Sequence, residues 1–137
     1  MTPHADLIAA ARAAAGRAYA PYSKFRVGAA VRTPGGAVFA ACNVENASYG
    51  LTCCAERNAV FQMVAAGETT FEAVATYTPT PTPTAPCGAC RQVLYEFNPA
   101  GVVVAACDGP DVTETTVSEL LPGAFGPTSL EPTAKLV

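Results

Sequence analysis

Thr52-Cys53-Cys54-Ala55-Glu56-Arg57 and, further along, Pro86-Cys87-Gly88-Ala89-Cys90 decide the reading of this chain. Cys87 and Cys90 are three residues apart at the start of a predicted helix, so both side chains face one way. Cys54 stands 33 residues before Cys87, at the start of another predicted helix. Unpaired N–H groups and the positive end of each helix dipole favour anionic sulfur at such places. Two helix N-termini converging on one cation follow from this pattern. Glu56 lies two residues from Cys54, which on a regular helix means roughly opposite faces. Both can flank one site only if the helix begins there and the site lies beyond its end.

Three thiolates select zinc, and their number suggests its use. Closed structural zinc sites take four protein ligands, whereas catalytic ones take three and keep a position for water. Zinc lowers that water's pKa to about 7. Cys54, Cys87 and Cys90 are therefore the expected ligands of one Zn²⁺, and Glu56 the carboxylate that moves protons. Three thiolates and Zn²⁺ sum to one negative charge, which weakens the pull on water. Arg57 is placed to donate to thiolate sulfur and offset that charge; Arg91 either does the same or faces solvent. Other readings stay open on the residues alone. Cys53, Cys42 or Cys107 as a fourth ligand would close a purely structural zinc module, and Cys87 with Cys90 would serve as a redox pair. Cys42 and Cys107 read best as small buried hydrophobes. His4 sits near the N-terminus, where a rigid metal site is not expected.

Composition narrows the partners. The net charge is −3, with no cluster of Lys and Arg, so a nucleic-acid polymer is a poor partner. No apolar run approaches the ~20 residues that span a bilayer, and the N-terminus does not read as a secretory signal. The expected compartment is the cytoplasm. Charged residues make up only 14% against roughly 25% in soluble domains, which points to apolar surface covered by self-association.

The remaining stretches arrange themselves around the two cysteine motifs. Thr2-Pro3 reads as a helix start for an alanine-rich helix over Asp6 to Tyr19. Phe25 to Thr33 and Ala37 to Cys42 form a hairpin about Pro34-Gly35-Gly36. Thr52 is the expected N-cap of a helix running to about Ala66, closed by Gly67. Phe71 to Thr78 is a third strand, followed by an extended Thr-Pro loop to Thr84. A helix over Cys87 to Phe97, a buried strand over Gly101 to Cys107 and an edge strand over Thr113 to Val117 complete the series. Ser118 then caps a last helical turn through Leu121. This order fits an α/β fold: one domain, residues 1–137, in three layers, with a mixed β-sheet of about five strands and helices on both faces.

With both motifs in place, the chain resembles the small, homotetrameric, zinc-dependent cytidine deaminases. A zinc site of three Cys, or one His and two Cys, with a Glu and a Pro-Cys-x-x-Cys run, is the pattern of the zinc nucleobase deaminases. The resemblance runs from Tyr22-Ser23-Lys24-Phe25 through Asn43-Val44-Glu45-Asn46 and the cysteine motifs to Leu120-Leu121-Pro122-Gly123-Ala124-Phe125. It implies a cytidine-deaminase-like fold, one zinc per subunit on Cys54, Cys87 and Cys90, and Glu56 as the proton carrier. Asn43 and Glu45 would hydrogen-bond the ribose hydroxyls, Phe25 would pack on the pyrimidine, and Ala55 would touch the substrate. Arg57 matches the arginine that compensates three thiolates. Phe125 matches an aromatic that reaches a neighbouring subunit's site. The implied reaction is hydrolytic deamination of cytidine and deoxycytidine in pyrimidine salvage. Water activated by the metal attacks ring C4, and Glu56 protonates N3 and then the leaving amine. A deaminase of another cytosine nucleoside, such as blasticidin S, is the nearest alternative. Two features depart from the family pattern: Cys53 replaces an apolar residue beside a ligand, and Tyr77 replaces an acid before a slightly longer Thr-Pro loop.

Overall fold

The structure is a computed structural model and describes residues 3–134. Five strands form one sheet in the order β2-β1-β3-β4-β5. They are β1 (Gly28–Arg32), β2 (Val38–Cys42), β3 (Ala73–Tyr77), β4 (Val102–Ala106) and β5 (Thr113–Thr116). β3 and β4 run parallel, and every other neighbouring pair is antiparallel, so the sheet is mixed as expected.

Side-chain alternation divides the sheet into two faces. Ala30, Ala73, Ala75, Val104 and Ala106 pack against Leu7, Ile8 and Ala11 of α1 (Ala5–Ala15). Ala29, Val31, Val74 and Val103 face the other way, onto α2 (Ala55–Ala65), α3 (Gly88–Phe97) and α4 (Val117–Leu120). Met63, Phe71, Leu94 and Val117 are fully buried in that second layer. Burying each large side chain contributes about 1.5–3 kcal/mol. The strand face under α1 is mostly alanine, which lets the helix lie close. At Gly28 the approach is closest: a Cβ there would stand 1.8 Å from the Ala11 carbonyl oxygen.

Several boundaries differ from the sequence reading. The first helix ends at Ala15, because Gly16 caps it and Tyr19 pairs its backbone with Asn43 and Glu45 instead. Its start is at Ala5 with His4 before it, while Thr2 lies outside the described residues. β1 begins at Gly28, since the Val27 N–H and the Phe25 carbonyl are taken by the Asn43 side chain. The N-cap of α2 is Cys54 and not Thr52, whose hydroxyl accepts from the Asn46 N–H. Gly67, at φ 92°, lies just past that helix, as its sequence position implied. Thr116, not Ser118, caps α4 by accepting from the Glu119 N–H. A further helix, α5 (Pro127–Ala134), opens on proline and has no apolar periodicity strong enough to announce it.

Candidate metal centre and substrate cleft

Cys54 and Cys87 occupy the N-cap positions of α2 and α3, both in extended backbone conformation. Neither cysteine side chain makes a capping hydrogen bond, so the first N–H groups of each helix have no partner from the N-cap side chain. Because α2 starts only at Ala55, Cys54 stands off the helix end while Glu56 lies in its first turn. The geometric condition on that pair is met. Cys90 is buried one turn into α3.

The three Sγ atoms lie within 4.8 Å of one another. Cys54 and Cys87 are 3.7 Å apart and Cys87 and Cys90 3.4 Å apart. Tetrahedral zinc with bonds of about 2.3 Å holds neighbouring sulfurs about 3.8 Å apart. The donor set therefore fits zinc, with an open side. Among the described residues these three alone form a possible metal cluster, so Cys42, Cys53 and Cys107 do not close it. Cys87 and Cys90 are free thiols with their sulfurs 3.4 Å apart, so no disulfide joins them. Cys53 keeps its backbone paired with Val44, and burial raises its thiol above the ordinary range.

The surroundings stabilise negative sulfur. Arg57 Nη2 donates to Cys54 Sγ at 3.3 Å. Without metal the Cys54 thiol is pulled down to about 5, first by the neighbouring Cys90 thiol and then, against burial, by Arg57. Cys90 is pushed up, first by the neighbouring Cys54 and then by burial. Arg91 takes neither expected role. Its Nε donates to the Pro86 carbonyl at 2.7 Å and its Nη1 to the Leu120 carbonyl at 2.9 Å, bracing the cysteine turn on α4.

Glu56 is 5% exposed. Burial pushes its carboxyl up to about 7, helped by the Cys54 charge. It shares a cleft of about 420 Å³ with Cys54, Cys87, Ala55, Phe25, Asn43 and Glu45. Two of these also build the cleft wall. Asn43 Oδ1 accepts from the Val27 N–H and its Nδ2 donates to the Phe25 carbonyl. Glu45 Oε1 accepts from the N–H groups of Tyr22 and Ser23, and Oε2 accepts from the Ser23 hydroxyl. Each retains spare bonding capacity for a ligand. Phe125 is 60% exposed and does not line its own chain's cleft.

Ser23, Thr76, Thr78 and Thr84 also line the cleft and were not singled out from sequence. The period-two pattern of β3 was the available signal for Thr76, which shares the Val74 face. Of the two cysteines expected to be buried, Cys107 is fully so, but Cys42 is only partly so and borders a separate groove between α1 and α2. His4 joins Arg32 through Nδ1 and Glu114 through Nε2.

Three cysteine sulfurs around an open coordination side, with a buried carboxyl group in the same cleft, define a metal-dependent hydrolytic site. Residues 1–106 match the family model described as cytidine and deoxycytidylate deaminase zinc-binding region. The cytidine deaminase of Sporosarcina psychrophila is 48% identical over 120 residues, covering 87% of this chain and 88% of that one. The Halalkalibacterium halodurans cytidine deaminase is 52% identical over 110 residues, 79% of this chain and 83% of its own. A crystal structure of the Burkholderia pseudomallei cytidine deaminase superposes with a TM-score of 0.87 at 54% identity, covering 91% of this chain and all of the other. The chain belongs to the cytidine and deoxycytidylate deaminase family.

Proposed function

We propose that this protein hydrolytically deaminates cytidine and deoxycytidine, releasing ammonia and the uracil nucleoside. The observation that carries the reading is the three-sulfur cluster opening on the same cleft as buried Glu56. Zinc on Cys54, Cys87 and Cys90 supplies a polarised water at neutral pH when bound. With water activated there, Glu56 would pass its first proton to ring N3, then take the second from the hydroxyl left on C4 and pass it to the departing amine. Its place in the cleft beside Cys54 and Cys87 supports this double duty, because one carboxyl group there can both take and give a proton.

Phe25 packs on the pyrimidine, Asn43 and Glu45 take the ribose hydroxyls, and Ala55 offers backbone beside the ring. Their common position along one cleft supports these roles. Phe125 completes a neighbouring subunit's site in a homotetramer, a reading supported by its exposure and by the exposed Val38, Phe61 and Val64. The whole chain then acts as one deaminase unit, in the cytoplasm, in pyrimidine salvage. Among the described residues, no helix is long and apolar enough to cross a membrane.

Ultraviolet monitoring of cytidine loss by purified protein, with zinc measured per chain, tests the proposal. One zinc per chain and turnover of cytidine in preference to blasticidin S are expected. Glu56→Gln should keep the zinc and lose nearly all turnover. Retention of a tenth of the activity would remove Glu56 from the mechanism.

A further inference from the structure

Thr76 lines the cleft and has no counterpart in the roles assigned above. It lies on β3 two residues beyond Val74, so it faces the α2 and α3 layer. Its register partners are Ala29 on β1 and Ala105 on β4. Both flanking side chains on that face are methyl groups, which cannot hydrogen-bond. Thr76 is 1% exposed, and its Oγ1 has no hydrogen-bond partner among the described residues. Thr78, the next residue on the same side, differs: its hydroxyl pairs with that of Thr80 at 2.7 Å.

A buried hydroxyl without a partner is unfavourable, and valine fills the same volume without that cost. A threonine between two alanines in the wall of a cleft is therefore explained by what the cleft receives. The same cleft holds Cys54, Cys87 and Glu56. Resting on the deaminase reading, we infer that the Thr76 hydroxyl is a hydrogen-bond contact for the pyrimidine ring, at the edge whose polarity inverts in the reaction. Cytosine presents an acceptor at N3 and a donor amine at C4; uracil presents a donor at N3 and an acceptor oxygen at C4. A backbone group or a carboxylate of fixed charge serves one of these patterns. A hydroxyl serves both, because it donates or accepts by rotating its hydrogen. Thr76 thus holds substrate and product with the same atom.

The test compares wild type with Thr76→Val and Thr76→Ser in the zinc-loaded protein. Cytidine kcat/KM, the inhibition constant of uridine and Tm are measured for each. Thr76→Val should lower kcat/KM about tenfold and weaken uridine binding about as much, because a ring polar group is left unpaired. Its Tm should not fall, and Thr76→Ser should restore both constants to within about threefold of wild type. These readouts separate a ligand contact from a purely structural role, which would move Tm. The inference is overturned if either constant in Thr76→Val stays within threefold of wild type, or if Thr76→Ser fails to restore them. Should valine not be tolerated, Thr76→Ala also removes the hydroxyl and is judged by the same limits. Wild-type protein inactive on cytidine would overturn the deaminase reading and this inference with it. Active wild type with an indifferent Thr76→Val overturns the inference alone.

Discussion

Arg57 Nη2 donates to Cys54 Sγ across 3.3 Å, joining the third residue of α2 to its own N-cap. The contact places a permanent cation against a cluster whose three thiolates outnumber the charge of one zinc ion. Residues that orient or neutralise metal ligands typically carry 10- to 100-fold of metal affinity or activity. Arg57→Gln should therefore bind zinc 10- to 100-fold more weakly, with turnover per bound zinc also reduced. Competition against a chromogenic chelator measures the first effect. Wild-type affinity in the variant would leave Arg57 with a packing role only.

Removing the metal exposes a second property of the same pair. In the zinc-free protein the Cys54 thiol sits near 5, so it remains a thiolate at every pH above that value and becomes protonated below it. Alkylation of chelator-treated protein should follow a pH midpoint well below the ordinary thiol value of 9.0, with peptide mapping identifying Cys54. Re-added zinc should protect the residue and restore activity. A midpoint near 9 would show that neither Cys90 nor Arg57 favours the anion.

Glu45 predicts behaviour in acid. Its carboxyl lies below the ordinary 4.5 because the Ser23 hydroxyl and the Tyr22 and Ser23 amides all donate to the charged form. The folded value is depressed, so the attachment is fully present at neutral pH and is lost as pH falls below the ordinary carboxylate range. The amide resonances of Tyr22 and Ser23 should titrate with a midpoint under 4.5, and Glu45→Gln should abolish that titration. A midpoint above 4.5 would mean that the three bonds do not form in solution.

Gly109 fixes the Thr-Pro loop. A Cβ at that position would stand 2.3 Å from the Pro81 carbonyl oxygen, on the loop that carries Thr78 and Thr84 into the cleft. The Cys107 thiol and the Asp108 N–H also face carbonyls of this loop. Gly109→Ala should cost about 1–3 kcal/mol through overpacking, seen as a drop in Tm of several degrees, and should raise KM for cytidine. Gly35→Ala, where the nearest atom is 4.0 Å away, serves as the control. Equal Tm and KM in the two variants would separate Gly109 from the loop's position.

The cysteine motifs were legible because their spacing is a local property. Three residues on one helix turn bring Cys87 and Cys90 together whatever the rest of the fold does. Cys54 needed only a helix that starts on time, and the structure supplies it by making Cys54 itself the cap. Strand order was not legible, since antiparallel β1–β3 pairing and parallel β3–β4 pairing join segments far apart in sequence. Arg91 was misread because one of its carbonyl partners, Leu120, lies 29 residues away, a contact that only tertiary packing creates. Thr76 passed unnoticed for a similar reason: a threonine in a strand is ordinary until its neighbours across the sheet prove to be alanines.

Placing Cys54 and Cys87 at the heads of two different helices also gives the metal a polymer-physics role. A zinc ion on both closes a chain loop of 33 residues that contains all of α2 and β3. If it acts like a covalent crosslink, it removes about 4 kcal/mol of chain entropy from the unfolded state. The ion that activates water would thereby also restrict the unfolded ensemble, so zinc scarcity should reduce the number of folded molecules as well as the rate of each.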